Sequence, residues 1–140
     1  MKINLPTLAT LGELLQALRG IDISVPGRTD GRTTDHTEAW TICRLLSTLS
    51  ASGDLKFPVS LQHRDRPDFC LTDAVGQVGI EVTEAIPKQY AAYSALAERE
   101  FPGALLEPSH FRWGAPVLSS DEMRALLKKT GVRVHFRLGA

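Results

Sequence analysis

Hydrophobic residues recur at helical spacing near the start of the chain. The apolar positions run from Leu11 to Leu18, and Gly20 ends the pattern. Thr10 is followed three residues later by Glu13, which is the spacing of a capping box at a helix N-terminus. The pattern predicts a short N-terminal helix. Together with the loop-forming residues that follow it, this helix is expected to occupy residues 1–34, ahead of the main core.

A longer helix is predicted over residues 35–50. Its apolar residues share one face, Asp35 can cap its first turn, and the polar residues from Ser50 to Gly53 end it. Trp40 flanks the apolar face and is expected to face the core. The same reasoning predicts two later helices, over residues 88–100 and 120–129.

The hydrophobic pattern changes to a period of two residues in four short segments. These predicted strands lie over residues 56–62, 68–72, 77–83 and 132–138. The residues from Asp73 to Gly76, between the second and third strands, are typical of a hairpin turn. This order of elements predicts an α/β or α+β fold with about four strands flanked by helices.

Composition limits the class of protein. The chain has 140 residues, 43% of them apolar, with 16 basic and 16 acidic side chains, which predicts a single domain. No apolar run approaches the roughly 18 residues of a membrane span, and Glu13 interrupts the apolar segment that a secretory signal would need. Cys43 and Cys70 are too few for a disulfide framework. We therefore expect a cytoplasmic protein with reduced cysteines and no membrane association.

Charge is balanced overall but not along the chain. Five basic residues and no acidic residue lie between Arg124 and Arg137. Within this run, Lys128, Lys129 and Arg133 are candidate contacts for the phosphates of a nucleic acid. A solvated helix end followed by an exposed strand edge is the alternative interpretation of the same run.

Two carboxylates become neighbours if the hairpin loop is residues 73–76. Thr72 then faces Gln77, and Asp68 lies directly across from Glu81. Directly opposed side chains share one face of the sheet, with Cβ atoms about 4.5–5.5 Å apart. Like charges at that distance are destabilising unless they are neutralised, and a divalent cation with oxygen ligands neutralises them. The pattern predicts an Mg²⁺ or Mn²⁺ site at these two residues.

This prediction depends on the register of the hairpin. A slip of one residue would place Asp68 and Glu81 on opposite faces and leave two ordinary surface carboxylates. In the assumed register, Val78 is expected to face the core, whereas Cys70 and Gly79 share the face of the carboxylates. The missing side chain at Gly79 would leave room for a bulky ligand.

The sequences RPDF, at residues 66–69, and GIEVTEA, at residues 79–85, resemble the motif of the PD-(D/E)XK nuclease superfamily. Members have the restriction-endonuclease-like fold, whose core is one helix, three strands, one helix and one strand (αβββαβ). The resemblance implies this core for residues 35–138, with a mixed sheet of about four strands and an extra helix on its N-terminal side.

The resemblance also implies roles for particular residues. Asp68, Glu81 and Glu38 would bind Mg²⁺ or Mn²⁺, and the reaction would be metal-assisted phosphodiester hydrolysis. The third motif position holds Thr83, where members have a lysine that activates the attacking water and stabilises the developing charge. Lys88 is a candidate replacement for that lysine, and a solvated lysine at the start of a helix is the alternative.

His63, Arg64 and Arg66 flank the motif and are candidate phosphate contacts, or else part of a solvated loop. The predicted function is therefore that of a metal-dependent nuclease acting on DNA or RNA, with a homodimer suggested by the resemblance. The alternative is a catalytically inactive nuclease-fold protein, an inhibitor or adaptor linked to a phage, a mobile element or host defence, that acts through protein or nucleic-acid contacts. A third interpretation is a plain interaction domain whose resemblance to nucleases is accidental.

Overall fold

The structure of the chain is a computed structural model that describes residues 2–106 and 111–130. The chain forms two compact units. Unit 1 comprises Met1–Val25 and Thr33–Thr83, and unit 2 comprises Pro26–Arg32 and Glu84–Ala140. The elements in chain order are β1 (Leu5–Leu8), α1 (Leu11–Arg19), α2 (Thr34–Ser52), β2 (Val59–His63), β3 (Phe69–Thr72), β4 (Gln77–Ile80), α3 (Lys88–Glu100) and α4 (Ser120–Thr130).

The first helix begins at the predicted N-cap Thr10, but Glu13 accepts from the Ala9 amide where a capping box would accept from the Thr10 amide. The Thr10 hydroxyl accepts a hydrogen bond from the Glu13 backbone amide at 3.2 Å, and the Glu13 carboxylate accepts one from the Ala9 amide at 2.7 Å. These two bonds satisfy amides that have no partner within the helix itself. Gly20 is the C-cap, as the sequence predicts.

The second helix begins slightly earlier than its sequence pattern predicts. Its N-cap is Thr33 in place of Asp35, because the Thr33 amide donates to the ring nitrogen Nδ1 of His36 at 3.0 Å. An imidazole acceptor at this position was not part of the capping pattern read from the sequence. The helix ends at Gly53, which adopts a left-handed φ of 75°.

The predicted apolar face of α2 is confirmed, but Trp40 is not part of it. Trp40 is 41% exposed, and the guanidinium of Arg44 lies 4.8 Å from the centre of its ring. A cation above the ring supports an exposed position for the indole without core packing. The residues of α2 that are buried are Ala39, Ile42, Cys43 and Leu46.

The four described strands form one antiparallel sheet in the order β1-β2-β3-β4. The predicted hairpin register is confirmed, because Thr72 pairs with Gln77 and Phe69 pairs with Ile80. The hairpin turn is fastened by Asp73, whose carboxylate accepts from the amides of Val75 at 2.8 Å and Gly76 at 3.1 Å. The mixed α+β class of the fold is therefore established, whereas the restriction-endonuclease-like core stays a prediction.

The sequence pattern missed the first strand. β1 is only four residues long and contains Pro6, so it lacks the alternating pattern of a half-buried strand. It forms because Leu5 pairs with Leu61 of β2, far along the chain. The predicted strand over residues 132–138, which the expected mixed sheet includes, lies outside the described residues. All pairings among the described strands are antiparallel.

Each unit has its own hydrophobic core. In unit 1, helices α1 and α2 pack with one face of the sheet, and Leu14, Ile42 and Phe69 are fully buried there. In unit 2, α3 and α4 enclose a smaller core in which the rings of Tyr93 and Phe111 stack 4.4 Å apart. No helix in the described part of the chain is long and apolar enough to cross a membrane.

Candidate metal centre

His63 is the buried polar residue at the end of β2. Its side chain lies on the same face of the strand as Val59 and Leu61, is only 1% exposed, and stacks on the ring of Phe69 at 4.3 Å. Nδ1 accepts a hydrogen bond from the Ile3 backbone amide at 3.0 Å. Because a buried imidazole is costly without partners, these contacts explain how the core accommodates it.

The second ring nitrogen of His63 contacts Glu38. Nε2 lies 2.7 Å from a carboxylate oxygen of Glu38, which is 16% exposed. Since Nδ1 accepts from an N–H, it carries no proton, and the proton of the neutral ring must be on Nε2. His63 therefore donates to Glu38. The hydrogen-bond network thus assigns both the tautomer of the ring and the position of the carboxylate.

Asp35 lies beside this pair. Asp35 and Glu38 are three residues apart and therefore share one face of α2. One potential ligand atom from each of Asp35, Glu38 and His63 lies within 4.8 Å of the other two, and in the described residues this is the one such group of three. The three residues form a candidate metal-binding cluster, which does not by itself identify the metal.

The ammonium of Lys2 lies within electrostatic reach of the cluster. The ammonium of Lys2 is 2.7 Å from the carboxylate of Asp65, and this hydrogen bond raises the pKa of Lys2 above its usual value. The negative charges of Asp35 and Glu38 add to the rise in pKa, so the ammonium lies within their electrostatic reach. The same contact lowers the pKa of Asp65. Positive and negative side chains therefore meet at this end of unit 1.

Asp68 stands where β3 begins, at the same end of the sheet as His63. One of its carboxylate oxygens accepts from the Val82 backbone amide at 2.7 Å, and its side chain is half-buried. This bond ties the chain segment after β4 to the start of β3. Asp68 thus has a structural role that was not predicted, and it keeps a second carboxylate oxygen that can accept further bonds.

Glu81 follows the last residue of β4 and is exposed. The confirmed register ends at the pair of Phe69 and Ile80, so the predicted opposition of Asp68 and Glu81 falls one position beyond the ladder. The group of three ligand atoms contains Glu38 but neither Asp68 nor Glu81. The structure therefore joins the predicted ligand Glu38 to His63 and Asp35, while Asp68 bonds to the backbone of Val82.

The surroundings of the hairpin correct two expectations, at Gly79 and Val78. Gly79 does not leave open space for a ligand, because a Cβ atom there would lie 2.7 Å from the ring of Pro67. Cys70 is buried, although it lies on the face opposite the core. Val78 is 53% exposed, since it lies near the turn end of the outermost strand, where the helices leave it uncovered.

The remaining predicted site residues that the structure describes are exposed. In unit 1, Thr83 and Arg64 are exposed, and Arg64 donates to the Gln62 side chain at 2.6 Å. In unit 2, Lys88 is the first residue of α3. The residues that complete the predicted set are Arg66, Lys128 and Lys129, all exposed, and Arg133, which lies outside the described residues.

The donor set fits a hard divalent cation better than a soft one. Asp35 and Glu38 supply carboxylate oxygens, the ligands that Mg²⁺ and Mn²⁺ prefer. For His63 to bind a metal through Nε2, its proton would have to move to Nδ1, where it would face the N–H of Ile3. The imidazole is thus better placed to hold Glu38 in position than to bind the cation.

The sequence interpretation missed Asp35 and Lys2 at this site, and it assigned His63 to a phosphate contact or a solvated loop, whereas the imidazole is buried. Two signals for them exist in the chain. His63 continues the inward alternation of Val59 and Leu61, which predicts a buried histidine, and Asp35 lies one helical turn before Glu38. Nothing in the local sequence indicates that Lys2 approaches these residues.

Comparisons with known proteins add no assignment to this geometry. The chain matches no protein-family model, no curated protein and no solved structure.

Proposed function

We propose that unit 1 binds a divalent cation through carboxylates at the end of its sheet and that the protein is a metal-dependent nuclease. The observation that carries the proposal is the pair of carboxylates Asp35 and Glu38, which lie within 4.8 Å of each other beside the His63 ring that holds Glu38. When bound, such a cation would lower the pKa of a water ligand and neutralise a phosphodiester. Asp35 and Glu38 would hold it, and Asp68 and Glu81 lie at the same end of the sheet.

His63 positions the proposed ligand Glu38. By donating from Nε2, it fixes one carboxylate oxygen and leaves the second oxygen able to bind another group. Because the ring is held by Ile3 and Phe69, the carboxylate is restrained before any ligand arrives. Such restraint reduces the entropy that would otherwise be lost on binding.

Lys2 is our candidate for the positive charge that Thr83 does not supply. Its ammonium lies within electrostatic reach of Asp35 and Glu38, and it is half exposed. A cation at that position can contact a phosphate while the carboxylates hold the metal. Arg64 and Arg66, on the turn after β2, are exposed and would bind neighbouring phosphates.

Thermal unfolding with Mg²⁺, Mn²⁺ or EDTA tests the metal site. A cation that binds only the folded state stabilises it by about 2.7 kcal/mol when its concentration is a hundred times Kd, so Tm should rise. Glu38→Gln keeps an oxygen that accepts from His63 but removes the charge, and it should abolish the rise. Asp121→Asn, which alters a fully exposed carboxylate in unit 2, is the matched control and should retain it.

Cleavage assays then test the chemistry. Plasmid DNA, single-stranded DNA and RNA are incubated with each cation and with the wild-type, Glu38→Gln, Lys2→Ala and Glu81→Ala proteins. We expect metal-dependent cleavage that Glu38→Gln abolishes and Lys2→Ala weakens. If no cation raises Tm and no substrate is cleaved, the proposal is wrong.

A second candidate function is a catalytically inactive nuclease-fold protein that binds a nucleic acid or a protein. It is favoured because two predicted ligands already serve the fold, Glu38 by accepting from His63 and Asp68 by accepting from Val82. The neutral Thr83 favours it as well. A rise in Tm with metal, but no cleavage of any substrate, would support this candidate.

Salt dependence separates the two kinds of partner for that candidate. Contacts to phosphates release counterions, so affinity for a nucleic acid falls steeply as salt increases. Lys128→Ala combined with Lys129→Ala should lower the slope if α4 contributes such contacts. If the protein binds no nucleic acid, the result would favour a protein partner.

A further inference from the structure

Within residues 2–106 and 111–130, no strand pairs with the outer edge of β4. β4 is the last strand of the sheet, and Gln77, Val78 and Gly79 are all exposed. Because Asp73 and Gly76 form a hydrogen-bonded pair, the alternation of the ladder directs the backbone groups of Val78 and Ile80 towards β3. The amides and carbonyls of Gln77 and Gly79 point outwards.

The outward groups of Gln77 and Gly79 have no backbone partner among the described residues. The same alternation continues past the end of the strand, where the Val82 amide points inwards to Asp68. The backbone of Glu81 therefore also points outwards. Three alternate residues thus present a row of donors and acceptors along this edge.

The two edges of the sheet differ in how they are protected. β1, the opposite edge, contains Pro6 and an irregular register, which are features that prevent strand addition. β4 contains neither a proline nor a charged residue. Val75, in the adjacent turn, and Val78 are 82% and 53% exposed. An edge of this composition is suited to pairing with another strand.

We propose that β4 pairs with β4 of a second copy of this chain, antiparallel about a twofold axis at Gly79. In that register, Gly79 faces the partner subunit's Gly79, and Gln77 faces the partner subunit's Glu81. Val78 faces the partner subunit's Ile80. An antiparallel pair about an outward-pointing residue satisfies the open donors and acceptors of both copies.

The side chains favour this register. The side-chain amide of Gln77 donates to the Thr72 hydroxyl at 3.2 Å and has a second N–H that can donate to a carboxylate, so its position opposite Glu81 of the partner subunit is complementary and brings no like charges together. Val78 and Ile80 form an apolar pair on the face that carries the core. The paired segment is short, so the dimer is weak and depends on protein concentration.

Sedimentation velocity over a concentration series measures the dimer directly. Gln77→Glu places a carboxylate opposite Glu81 of the partner subunit, and the twofold axis produces two such pairs in each dimer. The dissociation constant should therefore rise about three- to tenfold. Gln77→Lys creates two opposite-charge pairs instead and should lower it. The double variant Gln77→Glu with Glu81→Lys restores complementarity and should dimerise again.

Gln77→Pro is the backbone control. It removes an outward-pointing N–H without removing a hydrogen bond to β3, and it should abolish the dimer while circular dichroism shows an intact fold. A monomer at every concentration up to the solubility limit would overturn the proposal. A dimer whose affinity follows none of these substitutions would overturn it as well.

Discussion

At each end of the β3–β4 hairpin, the carboxylate of an aspartate accepts hydrogen bonds from backbone amides. The two aspartates differ in how far along the sequence their bonded amides lie. At the turn, Asp73 bonds to amides two and three residues away. At the open end, Asp68 bonds to the amide of Val82, 14 residues away, and His63 bonds to that of Ile3, 60 residues away. The turn is therefore built locally, whereas the end that carries the candidate metal centre exists only when unit 1 is folded.

The largest expected effect concerns His63. His63→Ala removes the acceptor for the Ile3 amide, the donor to Glu38 and the stacking on Phe69, all in a buried position. We expect a loss of about 2–4 kcal/mol in the free energy of unfolding, measured by urea denaturation.

His63→Asn is the control for that change, because the Asn oxygen lies at the position of Nδ1 and can accept from Ile3. It should therefore destabilise unit 1 less than His63→Ala does. Equal losses for the two variants would show that the bond to Ile3 contributes little.

Asp68 should have the next largest effect. Asp68→Ala leaves the half-buried Val82 amide without its acceptor, which should cost about 1–2 kcal/mol. Asp68→Asn retains an oxygen that can accept from this amide and should cost less. Hydrogen exchange of the Val82 amide measures the effect at its source, and unchanged protection in Asp68→Ala would contradict the assigned role.

The cap of α1 provides a local counterpart in the same unit. Thr10→Ala removes the hydroxyl that accepts from the Glu13 amide, and substitutions of this kind cost about 1 kcal/mol. Thr10→Ser keeps the hydroxyl and should be close to wild type in urea denaturation. A Thr10→Ala loss as large as that of His63→Ala would remove the distinction between local and long-range contacts.

The smallest effect is expected at the turn and depends on pH. Hydrogen bonds from the Val75 and Gly76 amides lower the pKa of Asp73 below 3.8, so the ionised form stabilises the folded state. This contribution is complete above the pKa of the unfolded chain and is lost as pH falls through the lower, folded value. In Asp73→Asn, the free energy of unfolding should therefore decrease less as the pH falls. Thermal denaturation at a series of pH values measures this difference.

The local features were the ones that the sequence could predict. The N-cap of α1 at Thr10, the hairpin turn and the register of β3 with β4 all follow from residues that lie close together along the chain. The bounds of α3 were also predicted, because Pro87 fixes its start and the apolar spacing fixes its length.

The candidate site was predicted only in part, for the same reason. Glu38 was named as a ligand, but its partner His63 comes from another element, and the bond from Ile3 that fixes the imidazole depends on the missed strand β1. The side chain that fills the space at Gly79 belongs to Pro67, on the far side of the hairpin. Local patterns do not encode such contacts.

The two tryptophans of the chain lie in different units. Trp40, beneath the guanidinium of Arg44, belongs to unit 1, and Trp113, which is 74% exposed, belongs to unit 2. The variants Trp40→Phe and Trp113→Phe therefore each retain a single tryptophan, whose fluorescence reports on the unit that contains it. Emission spectra recorded during denaturation can follow the cooperativity of each unit without any attached label.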